Sequence, residues 1–266
     1  MSPAATLVEA LTPIRSEPDR AAILLDIDGT LAPIVRHADD AHVPEATRAV
    51  LIEVSRRYHV VGCVSGRRAA TARQIVAIGT ITYIGNHGGE LLRPGATRPE
   101  VDPELEAWAD RVRQFADRES TPERQRLRVR REDKGAIAAF HWRGAPDEEA
   151  AERAVREIAA DAEREGLVVH WGRKVLEVRP PVEFDKGLGI QALLNGGDVL
   201  VAVYVGDDTT DLDAFHGLRR MAESGELETA LCVAVRSDEA PPELAREADL
   251  TVDGPGGVRG LLEALL

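Results

Sequence analysis

Five short apolar runs, at 21–25, 60–64, 81–84, 199–205 and 231–235, limit what this 266-residue chain can become. They are rich in Val, Ile, Leu and Ala with almost no polar alternation, which suits parallel strands covered on both faces. Helix-period segments separate them at 44–58, 68–78, 188–194 and 211–222. Strand and helix alternating in this way predict an α/β fold built on a doubly wound, Rossmann-like parallel sheet.

The middle of the chain breaks that rhythm. Asp102-Pro103 opens a helix with Asp as N-cap and Pro at the first helical position, and the pattern runs to about residue 117. Strand-like alternation follows at 127–131 and 136–142, then a long charged amphipathic helix at 147–165. A second strand pair, 168–171 and 175–179, bends at Gly172. Helix–strand–strand thus occurs twice before the buried-strand pattern resumes. The expectation is a smaller α/β domain at 102–181, inserted into a core made of 1–101 and 182–266.

Charge narrows the partners. The net charge is −13 at pH 7, which repels nucleic acid and anionic membrane, so neither is expected as a partner. It repels phosphorylated metabolites as well. Any phosphate site must therefore be made locally positive by a metal ion, a lysine or backbone N–H groups. Cys63 and Cys232 lie far apart inside apolar runs and read as buried inert thiols. The first 17 residues lack the pattern of a signal peptide, and no run is long enough to span a membrane, so a cytoplasmic protein is expected. Nothing in the sequence reports on assembly; a monomer is the default expectation.

Chemistry gathers where the apolar runs end. The first ends in Asp26-Ile27-Asp28-Gly29-Thr30. Ligand crevices of open α/β sheets lie beyond the carboxyl ends of the strands, and two acids placed there call for a cation or a shared proton. Read alone, the same string is an ordinary Asp/Gly turn. The second run ends in Ser65-Gly66-Arg67, whose hydroxyl and N–H groups suit phosphate oxygens, or simply a turn into a helix. After 199–205 comes Gly206-Asp207-Asp208-Thr209-Thr210-Asp211: oxygen ligands for a hard cation, or an acidic helix start. Phe184-Asp185-Lys186-Gly187 puts a lysine at a helix start, where the helix dipole disfavours it unless it serves an anion.

In this order the four elements resemble the haloacid dehalogenase-like phosphatase superfamily, whose pattern is Asp-x-Asp-Gly-Thr, Ser or Thr, Lys, and an acidic pair. The resemblance covers both halves of the core, and the insert falls where that superfamily places its type 2 cap. It implies two-step phosphoryl transfer with Asp26 as nucleophile, Asp28 as general acid and base, and Lys186 restraining Asp26. It also implies Mg²⁺ held by Asp26, the Asp28 carbonyl and Asp207, with Asp208 or Asp211 helping. Phosphate oxygens would fall to Thr30, Ser65, Gly66 and Lys186.

Four segments, one of them already named, are similar to the trehalose-phosphatase family. They are Gly85-Asn86-His87-Gly88-Gly89-Glu90, Glu132-Asp133-Lys134 with His141-Trp142-Arg143, residues 172–180, and residues 206–211. Implied is a small-molecule sugar phosphate substrate, trehalose 6-phosphate, hydrolysed in the last step of trehalose biosynthesis. Substrate-binding candidates are Arg67, Asn86, His87, Glu132, Lys134, Arg143, Arg173, Lys174 and Glu177. Strand alternation puts Glu132 with Lys134, and Arg173 with Glu177, and turns Lys174 away. Each of the insert residues reads equally as part of a solvated sheet face with cross-strand ion pairs. One departure is Leu212, where the family often has Glu. Sucrose-phosphate and mannosyl-3-phosphoglycerate phosphatases share the same core pattern, and a non-catalytic sugar-phosphate sensor is the reading outside enzymology.

Overall fold

The computed structural model of the chain describes residues 3–35, 40–238 and 240–266. These divide into two compact units, one made of Met1–Glu100 with Phe184–Leu266 and the other of Val101–Glu183.

The first unit is built on a sheet whose strands are β1 (Ala21–Leu25), β2 (Val60–Val64), β3 (Thr82–Gly85), β4 (Glu90–Leu92) and β5 (Glu100–Val101), then β10 (Val201–Gly206), β11 (Thr229–Arg236) and β12 (Leu250–Asp253). Their order is β12-β11-β10-β1-β2-β3-β4-β5. Strands β12 to β3 run parallel and β4 turns back antiparallel on β3. The chain winds outward from β1 in one direction through β2 and β3, and in the other through β10 to β12. Strand order therefore reverses at β1, and the crevice of such a sheet opens there, beyond the carboxyl ends of β1 and its neighbours.

Helices cover both faces: α1 (Pro3–Ala10), α2 (Thr12–Ser16), α3 (Glu45–Arg57) and α4 (Ala69–Val76), then α8 (Lys186–Leu194), α9 (Asp211–Glu223), α10 (Pro242–Glu247) and α11 (Gly254–Leu265). Alternate residues of β1 sort the core into two halves. Ala21, Ile23 and Leu25 pack with Leu51, Val76 and Leu262 on one face; Ala22 and Leu24 pack with Ile190, Phe215 and Leu218 on the other. Every β1 residue is buried, which is why that run shows no polar alternation. Both thiols are buried and unbonded to each other, and burial raises each above its ordinary value.

Residues between the core halves form the second unit: α5 (Pro103–Glu119), α6 (Pro122–Arg126), β6 (Arg130–Asp133), β7 (Ala138–His141), α7 (Glu148–Arg164), β8 (Val168–Gly172) and β9 (Val175–Arg179). The sheet order is β6-β7-β9-β8, all antiparallel. The strand expected at 127–131 starts later, because Thr121 caps a short helix that occupies 122–126. One sheet face is apolar: Ala138, Phe140, Leu176 and Val178 pack against Phe115 of α5 and Val155 and Ile158 of α7. Among the described residues no helix is long and apolar enough to cross a membrane.

Candidate active site

The motif residues of the first unit converge on one cluster. Asp26 follows β1, and its N–H donates to Val205 O of β10 at 2.8 Å, which keeps the two strand ends side by side. Asp207 leaves β10 beside it. Gly29, at φ +89, lets the loop after β1 curl back; a Cβ there would stand 2.0 Å from Asp207 Oδ2. Two independent demands, a left-handed backbone and the space Asp207 occupies, therefore require glycine.

Lys186 enters from the first turn of α8. Its Nζ donates to Asp26 Oδ1 at 2.8 Å and to Asp211 Oδ1 at 2.6 Å, and the side chain is only 2% exposed. Small residues make this placement possible. A Cβ on Gly187 would meet Asp213 O at 2.3 Å, and one on Gly189 would meet the Gly88 backbone at 2.6 Å. Helix α8 is thus wedged between α9 and the loop at 86–88, and Asp185 caps it by accepting from Leu188 N.

Oxygen atoms of Asp26, Asp207 and Asp211 all lie within 4.8 Å of one another, close enough for one cation. Their electrostatics ask for one. Burial raises Asp26 well above the usual carboxylate range; Lys186 opposes this, while Asp211, Asp207 and Asp208 add to it. Burial, followed by the charges of Asp211 and Asp208, pushes Asp207 up to about 7. Burial would lower Lys186, but Asp211 and Asp26 outweigh it and keep the ammonium well above its ordinary value. One cation therefore serves several carboxylates, and a second, hard cation at the same place suits an all-oxygen donor set.

The three carboxylates are not equivalent. Asp211 Oδ2 accepts from the N–H of Asp207 (2.7 Å) and of Asp208 (2.9 Å), while Oδ1 accepts from Lys186 and from Tyr204 OH. Asp208, expected among the ligands, turns its Oδ1 to Thr210 N and Oγ1 and is exposed. The residue is exposed at the surface, yet its carboxyl group is partly desolvated; that would raise it, but Lys186 and the Thr210 donors hold it below its ordinary value. Thr30, expected at a phosphate oxygen, is fully buried, and its hydroxyl donates to Asp207 Oδ1 at 3.1 Å, bracing that carboxylate.

On the other side of Asp26, β2 is followed by Ser65, which is buried and whose hydroxyl accepts from Arg67 N at 3.2 Å. Arg67 closes a two-bond fork on Asp28, Nε to Oδ2 at 2.6 Å and Nη2 to Oδ1 at 2.7 Å. Gly66 is bare because the His87 ring covers it; a Cβ would lie 2.5 Å from that ring. Asn86 and His87 both have positive φ, held by Asn86 N to Arg67 O (2.7 Å) and His87 N to Ser65 O (3.1 Å). Buried Glu90 ties the loop to α4, accepting from Asn86 Nδ2 at 2.9 Å and Ala69 N at 2.8 Å. A cavity of about 260 Å³ between His59, Thr82, Arg93 and Leu194 lies at the opposite, N-terminal edge of the sheet, with none of these carboxylates in its lining.

The second unit carries its own polar face. Glu132, Ala139, Glu177 and His170 stand side by side across the four strands. Lys134 Nζ donates to Glu177 Oε1 at 2.8 Å and Arg179 Nε to Oε2 at 3.0 Å; Lys134 and Glu177 are buried. Glu132 Oε2 accepts from His141 Nε2 at 2.9 Å, a contact that lowers its pKa against the effect of burial. Lys174, at φ +56 in the β8–β9 turn, pairs with Glu148 on α7, away from that face. Arg143 reaches the carbonyl of Arg173 at 3.4 Å.

Sequence reasoning did not single out Tyr204, Glu90, His141 or Arg179. Glu90, His141 and Arg179 lie inside motif strings, but Tyr204 sits in a buried strand and gives no signal of its own. Leu212, the departure from the family pattern, packs against the core.

The family model "Trehalose-phosphatase" matches residues 24–253. The trehalose-phosphate phosphatase of Mycobacterium tuberculosis is 34% identical over 245 residues, covering 86% of this chain and 60% of that one. The chain spans 58 to 60% of the length of several curated relatives it matches. Among solved structures, the C-terminal domain of Candida albicans trehalose-6-phosphate phosphatase superposes with a TM-score of 0.74 at 22% identity, covering 98% of this chain and 96% of that one. A haloacid dehalogenase-like hydrolase from Bacteroides thetaiotaomicron gives 0.63 at 16%, covering 92% and 99%. At those identities the structural likeness is one of fold. With a model match that runs from β1 through β12 and so takes in every strand end of the acidic cluster, the chain belongs to the trehalose-phosphatase family.

Proposed function

We propose that this protein hydrolyses trehalose 6-phosphate to trehalose and inorganic phosphate through an aspartyl-phosphate on Asp26. The observation that carries the chemistry is the shared ammonium of Lys186, bonded to Asp26 and Asp211 beside Asp207. A carboxylate restrained by one cation, next to a site for a second, is poised for in-line attack on a phosphoryl group.

In this reading Asp26 Oδ attacks phosphorus as the phosphorus–sugar oxygen bond breaks, and Asp28 delivers the proton to the departing oxygen. Asp28 then takes a proton from water as that water attacks the aspartyl-phosphate, freeing phosphate and Asp26. Its fork with Arg67 must loosen for this, and a phosphate dianion is the natural competitor for the guanidinium. Ser65, the Gly66 N–H and Lys186 take phosphoryl oxygens. Asp26, Asp207 and the Asp28 carbonyl would hold Mg²⁺, which when bound neutralises charge on the transferring group. Asp211, with its acceptor sites filled, is left out of the ligand set.

Sugar recognition is assigned to the polar face of the second unit, chiefly Glu132, Lys134 and Glu177. Support comes from family membership and from the density of charged donors and acceptors there, since each sugar hydroxyl removed from water needs a partner. The test is phosphate release, with and without Mg²⁺, across trehalose 6-phosphate, sucrose 6-phosphate and mannosyl-3-phosphoglycerate. Fastest turnover on trehalose 6-phosphate, lost in Asp26→Asn, is the expected result. Preference for another member of the panel would reject the substrate, and tight binding without any turnover would reject the enzyme.

A further inference from the structure

Every acceptor position of the Asp211 carboxylate is taken. A carboxylate offers about four lone-pair sites. Lys186 Nζ and Tyr204 OH, each at 2.6 Å, fill Oδ1; the N–H groups of Asp207 and Asp208 fill Oδ2. The group is completely buried, and Gly206 makes the room, since a Cβ there would lie 2.2 Å from Asp211 Cγ. Three of these donors come from backbone or from a residue already placed in the reaction. The fourth, Tyr204, lies on β10, is fully buried, and has no part in the chemistry described above.

We propose that Tyr204 is a positioning residue: by completing the hydrogen-bond set of Asp211, it makes that carboxylate a bracket between Lys186 and the Asp207–Asp208 loop rather than a metal ligand. Lys186 stands on α8 and Asp207 follows β10, so their relative placement depends on whatever joins them. Asp211 is the joint, with one oxygen on each. Without the phenol, Oδ1 regains a free acceptor site; the carboxylate can tilt toward the neighbouring acids, and Lys186 tilts with it. The kinetic part of this proposal rests on the phosphatase reading. The placement of Asp211 does not.

Tyr204→Phe is the decisive variant, because it keeps the edge-to-face contact with Phe215 (centroids 6.1 Å apart) and removes only the hydroxyl. Losing one hydrogen bond to a charged group predicts a fall in kcat of about tenfold or more, with KM for substrate within about twofold. Mn²⁺ titrated into substrate-free protein and followed by electron paramagnetic resonance should bind Tyr204→Phe within about twofold of the unmodified chain. In Asp211→Asn the same affinity should persist within about threefold, whereas Asp207→Asn should lose it. A merely structural role for Tyr204 would lower the melting temperature and leave turnover per folded molecule unchanged; that result would overturn the proposal. So would Mn²⁺ affinity falling in Asp211→Asn as far as in Asp207→Asn. Should Asp211→Asn fail to fold, the kcat of Tyr204→Phe still decides. If the unmodified chain hydrolyses no sugar phosphate, the proposed function fails by itself and the Mn²⁺ arms still place Asp211 inside or outside the ligand set.

Discussion

Lys186 Nζ lies 2.8 Å from Asp26 Oδ1, and 160 residues of chain separate the two. Both are buried, and Asp211 supplies the ammonium with a second anion. Removing the ammonium leaves carboxylates crowded together with no compensating charge. Lys186→Met should therefore cost about 3–5 kcal/mol of folding stability and reduce turnover at least a thousandfold. Denaturant unfolding in Mg²⁺-free buffer and phosphate release measure the two losses separately. Stability equal to that of the unmodified chain would mean the pair contributes nothing net.

Asp207 makes the metal-free protein pH-sensitive. Burial, with Asp211 and Asp208 behind it, raises this carboxyl to about 7, above its unfolded value of 3.8. A raised carboxyl favours the folded state most below the unfolded value, and that contribution disappears as pH climbs through about 7. The stability difference between the unmodified chain and Asp207→Asn should thus shift against the unmodified chain from about pH 4 to 8. Mg²⁺ should reverse the trend, because it favours the ionised carboxylate. Melting curves across that range, with and without Mg²⁺, are the measurement; parallel pH profiles for the two proteins would contradict it.

Gly29→Ala is predicted to be far more harmful than an exposed loop substitution. Its φ of +89 is strained for any side chain, at about 1–3 kcal/mol, and the new methyl would overlap Asp207 Oδ2. Asp207 must move, and its bond from Thr30 goes with it. Metal affinity should fall at least tenfold, readable by calorimetric titration with Mg²⁺.

Glu177 is the anion between Lys134 and Arg179. Glu177→Gln leaves two cations facing a neutral amide, which should lower the stability of the second unit by about 2–4 kcal/mol. On the proposed function it also raises KM for trehalose 6-phosphate more than it lowers kcat. An unchanged KM would detach this residue from sugar recognition.

The catalytic strings were legible because each is local. A buried strand that ends in Asp26-Ile27-Asp28-Gly29, or in Gly206-Asp207-Asp208, advertises its chemistry within a few residues, and the run of apolar residues before it says which end faces the crevice. Alternation likewise put Glu132 with Lys134 on one face, whereas Arg173 and Lys174 sit in the β8–β9 turn, where strand alternation does not apply. Remote partners leave no trace in a local string. The hydroxyl of Thr30, expected at a phosphate oxygen, donates to Asp207, 177 residues on. Asp208 and Asp211 looked alike in the string, and only their surroundings distinguish an exposed carboxylate turned to Thr210 from a buried one with four donors.

By itself, then, the sequence determined the strand-and-helix alternation, the inserted segment and the acids at the strand ends, since periodicity and turn chemistry act over a few residues. Tertiary structure alone decided what each acid does. That decision depends on glycines at 187 and 217 letting α8 and α9 touch, on Gly206 yielding space to Asp211, and on Tyr204 supplying the last donor. A carboxylate's role is set by which lone pairs remain open after packing, and packing joins residues that the chain keeps apart.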